Sequence, residues 1–181
     1  MSSKSVVLCD AGPLITLGKL NRLEFLAELY GEVRIPRPVY DEVVTSGLAK
    51  GASDAMTVRL FIQRRKWPVV NVSQATLASY TPSVILDAGE RAVLALARTM
   101  RYPLVLLDDE VGRSEARRLG LPLRGTLGIL VQACREKILT LAQTEILIHE
   151  ISIRRDIWIS SKLCEQVLSE LRRRFDKPGL T

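Results

Sequence analysis

The sequence predicts an α/β fold in which helices cover a mainly parallel sheet. Short apolar runs alternate along the chain with segments whose apolar residues recur at helical spacing. The clearest strands are residues 6–8 and 104–107, and a helical pattern follows each of them. Right-handed crossover connections bring the carboxyl ends of parallel strands to one edge of the sheet. Open α/β folds hold their functional sites at that edge.

Length and composition indicate a globular protein. The chain has 181 residues, of which 47% are hydrophobic, which is enough for one domain with a sizeable core. No linker or internal repeat interrupts it. We expect a main domain over residues 1–140 and a C-terminal helical extension over residues 141–181 that packs on the same domain.

The charge and the cysteine content indicate which partners and which cellular compartment to expect. The formal net charge is +6 and the isoelectric point about 9.5, a basic bias compatible with a polyanionic partner. The three cysteines are far apart and show neither zinc-ligand nor disulfide spacing. No apolar run is long enough to span a bilayer, and the first residues lack the apolar region of a signal peptide. We therefore expect a cytoplasmic protein with no membrane partner.

The first strand leads into the most informative segment. Asp10 follows that strand, and an apolar helical pattern runs from Leu14 to Leu20. Considered alone, Asp10 is best explained as the cap of this helix. Gly12 is expected to let the chain turn tightly at this elbow.

The other elements are predicted from periodicity and from the residues that begin or end them. The expected strands after the first are residues 33–35, 67–72 (at a sheet edge), 104–107 and 121–123. The expected helices after the first are residues 21–29, 38–46, 50–66, 85–100, 111–119, 129–137, 141–153 and 162–174, with a loop or short helix over 73–83.

Acidic residues recur at the ends of these elements. Asp87 and Glu90 are spaced as a capping box at a helix start, which does not exclude a role in a site. Asp108 and Asp109 end a buried strand, and because side chains alternate along a strand, only one of them is expected to face a common site. The other is expected to cap the next helix. Thr126 is explained as the cap of the helix after it.

Carboxylates gathered at one edge would repel each other unless a cation neutralised them. Magnesium prefers oxygen ligands and commonly uses carboxylates together with a substrate phosphate. Basic surface around such a site would hold a phosphate backbone. The pattern therefore favours metal-dependent phosphodiester hydrolysis. His149 is the only histidine, which excludes histidine-based triads, and no glycine-rich phosphate loop is present.

Five segments occur in order along the chain: DAGPLI at residues 10–15, IPRPVYDEV at 35–43, LDAGE at 86–90, LLDD at 106–109 and GTLG at 125–128. Together they resemble the PIN-domain proteins, which include VapC-like ribonuclease toxins. The resemblance extends over nearly the whole chain and points to a prokaryotic branch of the family.

The resemblance implies a three-layer α/β/α fold and a ribonuclease that uses Mg²⁺ or Mn²⁺. Its acids, carried over to this chain, are Asp10, Glu42, Glu90 and either Asp108 or Asp109. Asp10 and one of the Asp108/Asp109 pair are expected as direct metal ligands, and Glu90 as a ligand or as the group that orients a water. Glu42 is expected as a further catalytic acid.

Partners are also implied by the resemblance. They are an RNA substrate, a small antitoxin protein and a second copy of the chain in a homodimer. Three features depart from the common pattern. Many PIN domains carry Ser or Thr where Gly12 stands, Asp87 is an alternative to Glu90, and the tail is longer than in compact toxins. The alternative function is a non-catalytic module that binds RNA or protein.

Overall fold

The computed structural model describes residues 6–101 and 103–175, which divide into two compact units. The first unit ends at Thr126 and the second begins at Leu127. The prediction about a signal peptide concerns the first five residues, which lie outside the described residues, as do residues 176–181 of the predicted extension.

The order of the elements is that of an α/β protein. The strands are β1 (Val6–Cys9), β2 (Ile35–Pro36), β3 (Val69–Val70), β4 (Pro103–Leu106) and β5 (Leu123–Arg124). The helices are α1 (Ala11–Lys19), α2 (Glu24–Tyr30), α3 (Arg37–Tyr40), α4 (Gly47–Ala49), α5 (Ser53–Arg65), α6 (Gln74–Ala78), α7 (Ala88–Ala97), α8 (Glu110–Arg118), α9 (Thr126–Arg135), α10 (Leu141–Ile153) and α11 (Ser161–Phe175), with a π-helical turn over Asp41–Ser46.

The described strands pair only in parallel. β4 lies between β1 and β5, and β2 pairs with β3. Two hydrogen bonds join these groups: Cys9 N donates to Arg34 O at 3.1 Å, and Arg34 N donates to Val7 O at 2.8 Å. The strands therefore follow the order β3, β2, β1, β4, β5. This arrangement confirms the predicted three-layer α/β fold with a parallel sheet.

The core of the first unit lies around β1 and β4. Their side chains are almost all buried, as the continuous apolar runs predicted. Helix α7 packs against both strands, and its last six residues are all alanine, valine or leucine in buried positions. α1 packs against α5. Burying α7 on nearly all sides fixes the position of its first turn relative to the ends of the strands.

One helix differs from its prediction in length. The segment predicted to end near Gly47 continues through α3, the π-helical turn and α4 to Ala49. Gly47 keeps helical dihedral angles, and a Cβ placed on it would lie 2.8 Å from the Cβ of Ala55. This glycine therefore allows close packing against α5 rather than ending the helix. The π-helical turn carries Glu42, and such turns are frequent at functional sites.

Most other boundaries agree with the sequence pattern. α2 ends before Gly31, whose φ of +74° is one that glycine adopts without strain. The strand predicted over residues 67–72 is shorter in the structure, where only β3 (Val69–Val70) is a strand. Among the described strands, β3 pairs only with β2.

The second unit is helical. Helix α10 packs against α11 and has the predicted boundaries. It begins with a capping box of Thr140 and Gln143, and Ser160 accepts a hydrogen bond from Leu163 N at the start of α11. Across residues 6–101 and 103–175, none of the helices has the length and apolar character that a bilayer crossing requires.

Candidate active site

Three neighbouring strands end side by side at one edge of the sheet. Asp10 follows β1, Asp108 follows the end of β4, and Thr126 follows β5 by two residues. Asp10 N donates to Leu106 O at 2.9 Å, which continues the pairing of β1 with β4 to this edge. The parallel register therefore brings Asp10 and Asp108 to the same edge, as the sequence predicted, and the structure places them after adjacent strands.

Asp10 does not cap α1 with its side chain. It occupies the residue before the helix, but its carboxylate makes no capping hydrogen bond. The residue is only 5% exposed, and its Oδ1 is buried with no hydrogen-bond partner among the described residues. Burial raises the pKa of Asp10 well above its usual value, and the nearby carboxylates act in the same direction. The capping explanation that Asp10 has when considered alone therefore does not describe its side chain, which lies near the other acids of the expected site.

Glu42 faces Asp10 across Gly89. A Cβ placed on Gly89 would lie 3.3 Å from Asp10 Oδ1 and 3.3 Å from Glu42 Oε2. Packing of α3 against α7 brings these residues together. Burial, followed by the charge of Asp87, raises the pKa of Glu42. Gly89 lies within one of the family-like segments, but nothing in the sequence indicates that Asp10 and Glu42 approach its backbone.

Asp87 and Glu90 form the predicted capping box. Glu90 N donates to Asp87 Oδ1 at 2.8 Å, and Asp87 N donates to Glu90 Oε2 at 3.0 Å. Glu90 is buried, and this burial raises its pKa to about 7, with the charges of Asp87 and Asp109 acting in the same direction.

The two adjacent aspartates have different partners. Asp109 caps α8, because its Oδ1 accepts from Val111 N at 2.8 Å and from Gly112 N at 3.1 Å. Asp108 accepts from Thr126 N at its Oδ1 and from the Thr126 hydroxyl at its Oδ2, both at 2.6 Å. One member of the pair therefore caps the next helix, as predicted. Thr126 is the first residue of α9 and donates to Asp108, a contact that the capping explanation missed.

Gly12 has a different role from the predicted tight turn. It lies inside α1, and its φ is not among the positive values of the described glycines. A Cβ placed on it would lie 2.9 Å from Asp108 Cβ and 3.2 Å from Asp108 Oδ2. Gly12 is therefore required by the close approach of Asp108. The absence of a serine or threonine at this position leaves that space to the carboxylate.

The structure thus brings all the predicted acids to one edge of the sheet, in two kinds of environment. Asp10 and Glu42 turn oxygens toward a common space, whereas the others already accept hydrogen bonds within the fold. Within the described ranges, no three of the Asp, Glu, Cys and His side chains have the geometry of a preformed metal cage. The donor set still fits a hard divalent cation, because all donors are carboxylate oxygens and one buried oxygen has no partner.

Fold and site together define an α/β domain with an acidic centre at the carboxyl edge of a parallel sheet. The family model DUF3368, described as a PIN domain, matches residues 6–173, so the chain belongs to the PIN-domain family. PIN domains are generally nucleases and generally use divalent metal ions. The comparison with curated proteins gives no match for this chain.

Proposed function

We propose that this protein is a metal-dependent endoribonuclease that hydrolyses phosphodiester bonds in RNA. The observation that carries the proposal is the buried, unpartnered Oδ1 of Asp10, which faces Glu42 across Gly89. An anion buried without a partner is costly, and a bound cation removes this cost. Asp10 and Glu42 would hold Mg²⁺ or Mn²⁺ there, and Asp108, Glu90 and Asp109 would complete the acidic surroundings.

The bound ion would supply activation of water and neutralisation of phosphate charge. The chain's own acids would orient the attacking water and accept its proton. Glu90 suits this task, since its pKa of about 7 lets it exchange a proton near neutral pH. The capping box holds Glu90 in place at the first turn of α7.

RNA is proposed as the polyanionic substrate on the basis of the net charge of +6 and the family's nuclease fold. We further propose that the protein acts as the toxin of a toxin–antitoxin pair, with a small antitoxin as partner, and that it forms a homodimer. Induced expression in a bacterial host tests the toxin role. Growth arrest by the wild type, and none by Asp10→Asn, is the expected result.

Cleavage of a mixed-sequence RNA with Mg²⁺ or Mn²⁺, and with EDTA as the reference, tests the nuclease activity. Wild-type protein should cleave only with the ion, and Asp10→Asn should be inactive. Asp54→Asn is the matched control, because Asp54 is a buried aspartate on α5 outside the acidic site. Absence of metal-dependent cleavage by the wild type, or full activity of Asp10→Asn, would contradict the proposal.

The second candidate is a PIN-like module that binds RNA or protein without turnover. It is favoured by the lack of a preformed three-ligand cage among the described residues. Such a module should bind RNA equally well as wild type and as Asp10→Asn, and neither should cleave RNA with any divalent ion.

A further inference from the structure

The carboxylate of Asp108, which follows β4, is hydrogen-bonded to Thr126, the first residue of α9. Asp108 receives both the backbone N–H and the hydroxyl of Thr126, each at 2.6 Å, so that each carboxylate oxygen has a donor. Thr126 is fully buried. A carboxylate that accepts two short hydrogen bonds from one residue is fixed in both position and rotation.

Two glycines make room for this contact. Gly12 lies against one side of Asp108: a Cβ placed on Gly12 would be 2.9 Å from the Asp108 Cβ. On the other side, a Cβ placed on Gly125 would lie 2.8 Å from Asp108 Oδ1 and 2.7 Å from Arg113 Nη1. Arg113 is itself held by a hydrogen bond to Leu107 O. The carboxylate is therefore enclosed between two backbones and kept beside a guanidinium.

This enclosure lies directly beside Asp10. β4 is the strand between β1 and β5, so Asp108 stands between Asp10 on one side and Thr126 on the other. Gly12, which contacts Asp108, is two residues from Asp10. Each carboxylate oxygen has further lone pairs beyond the one that Thr126 uses, so Asp108 can still contribute to the acidic centre.

We propose that Thr126 is a positioning residue of the acidic centre: its hydroxyl and amide hold the Asp108 carboxylate in the orientation that faces a cation beside Asp10. The inference rests on the proposed function only in that the centre binds a divalent ion. A purely structural role is the competing explanation, in which the same contacts only tie β4 to α9. The two differ in whether ion affinity depends on the threonine hydroxyl.

The test measures Mn²⁺ binding, by calorimetry and by the electron paramagnetic resonance signal of free Mn²⁺, for two variants of this residue. Thr126→Val keeps the shape but lacks the hydroxyl, and Thr126→Ser keeps the hydroxyl. We expect the Kd for Mn²⁺ to rise about tenfold or more in Thr126→Val, as is usual for groups that orient a ligand, and about twofold at most in Thr126→Ser. If Thr126→Val does not fold, Thr126→Ala replaces it, since the smaller side chain leaves room for water at Asp108.

Thr144→Val is the matched control. Thr144 is also a fully buried threonine, and its hydroxyl donates to Thr140 O at 2.9 Å in the second unit. This variant should lose stability without any change in Mn²⁺ affinity. Thr126→Val should also show no further loss of affinity when combined with Asp108→Asn, because both changes remove the same contact.

The outcomes separate this inference from the proposed function. A Thr126→Val protein that is less stable but binds Mn²⁺ as the wild type does would overturn the positioning role, even if the wild type cleaves RNA. A wild type that binds Mn²⁺ in a Thr126-dependent way but cleaves no RNA would support the positioning role and contradict the nuclease. A wild type that binds no Mn²⁺ would contradict both.

Discussion

Replacing Asp10 by asparagine should stabilise the metal-free protein while abolishing its activity. The carboxylate is 5% exposed, its Oδ1 has no hydrogen-bond partner among the described residues, and other carboxylates surround it. Asparagine has nearly the same shape and no charge. It therefore lacks the repulsion that ionised Asp10 has with Asp87, Glu90 and Glu42.

The size of the effect follows from the cost of an unsatisfied buried polar group, about 1–3 kcal/mol. In EDTA at pH 8, the free energy of unfolding of Asp10→Asn should therefore exceed that of the wild type by about 1–3 kcal/mol. For a chain of this size, each kcal/mol raises Tm by roughly 2–4 °C. The expected increase is thus roughly 2–12 °C.

The difference should depend on pH in a defined direction. Burial raises the pKa values of Asp10 and Glu90 in the folded state, that of Glu90 from 4.5 to about 7. The folded protein therefore holds these protons more tightly than the unfolded chain does. The contribution of these two groups to the free energy of unfolding is therefore fully present below their pKa values in the unfolded chain. It is lost as the pH rises through their pKa values in the folded protein. The wild type should thus lose stability between pH 5 and pH 8, and Asp10→Asn should lose less.

Urea denaturation of both proteins at pH 5 and pH 8, with EDTA and with Mn²⁺, measures these quantities. At an ion concentration of about 100 Kd, the wild type should gain about 2.7 kcal/mol, and Asp10→Asn should gain none. The reasoning would be refuted by an Asp10→Asn protein that is less stable than the wild type at pH 8 in EDTA. A difference between the two proteins that is the same at pH 5 and pH 8 would also refute it.

Two other predictions concern Gly89 and the buried Glu115. Gly89→Ala places a methyl group 3.3 Å from both Asp10 Oδ1 and Glu42 Oε2, so it should weaken Mn²⁺ binding about tenfold or more in calorimetry. Unchanged affinity would show that the space between the two acids is not used. Glu115→Ala should cost about 1–3 kcal/mol in urea denaturation, because Glu115 is 1% exposed and accepts from Arg118 Nε at 2.8 Å and from the buried Tyr80 hydroxyl at 2.9 Å, which would lose their acceptor. Since these contacts lower the pKa of Glu115 below 4.5, the wild type should lose this contribution only as the pH falls below that value, and a variant of wild-type stability at pH 7 would contradict the assignment.

The sequence by itself determined the alternation of strands and helices and the edge at which the acids gather. Apolar runs such as residues 104–107 are buried as parallel strands because only a strand covered on both faces buries every side chain. Once strands are parallel, the residues that follow them must lie at one edge, which brings Asp10 near Asp108. Local hydrogen bonding was equally predictable, as the capping box of Asp87 and Glu90 shows.

Only the tertiary structure decided which acids face each other and which are already engaged. The contacts of Asp108 with Thr126 and with Gly12 join residues far apart in the chain, and they depend on the order of β1, β4 and β5. Periodicity shows that a residue lies on a given face, but it cannot show which distant backbone will approach its Cβ. The placement of Glu42 opposite Asp10 depends in the same way on the packing of α3 against α7, which the pattern of either helix alone does not contain.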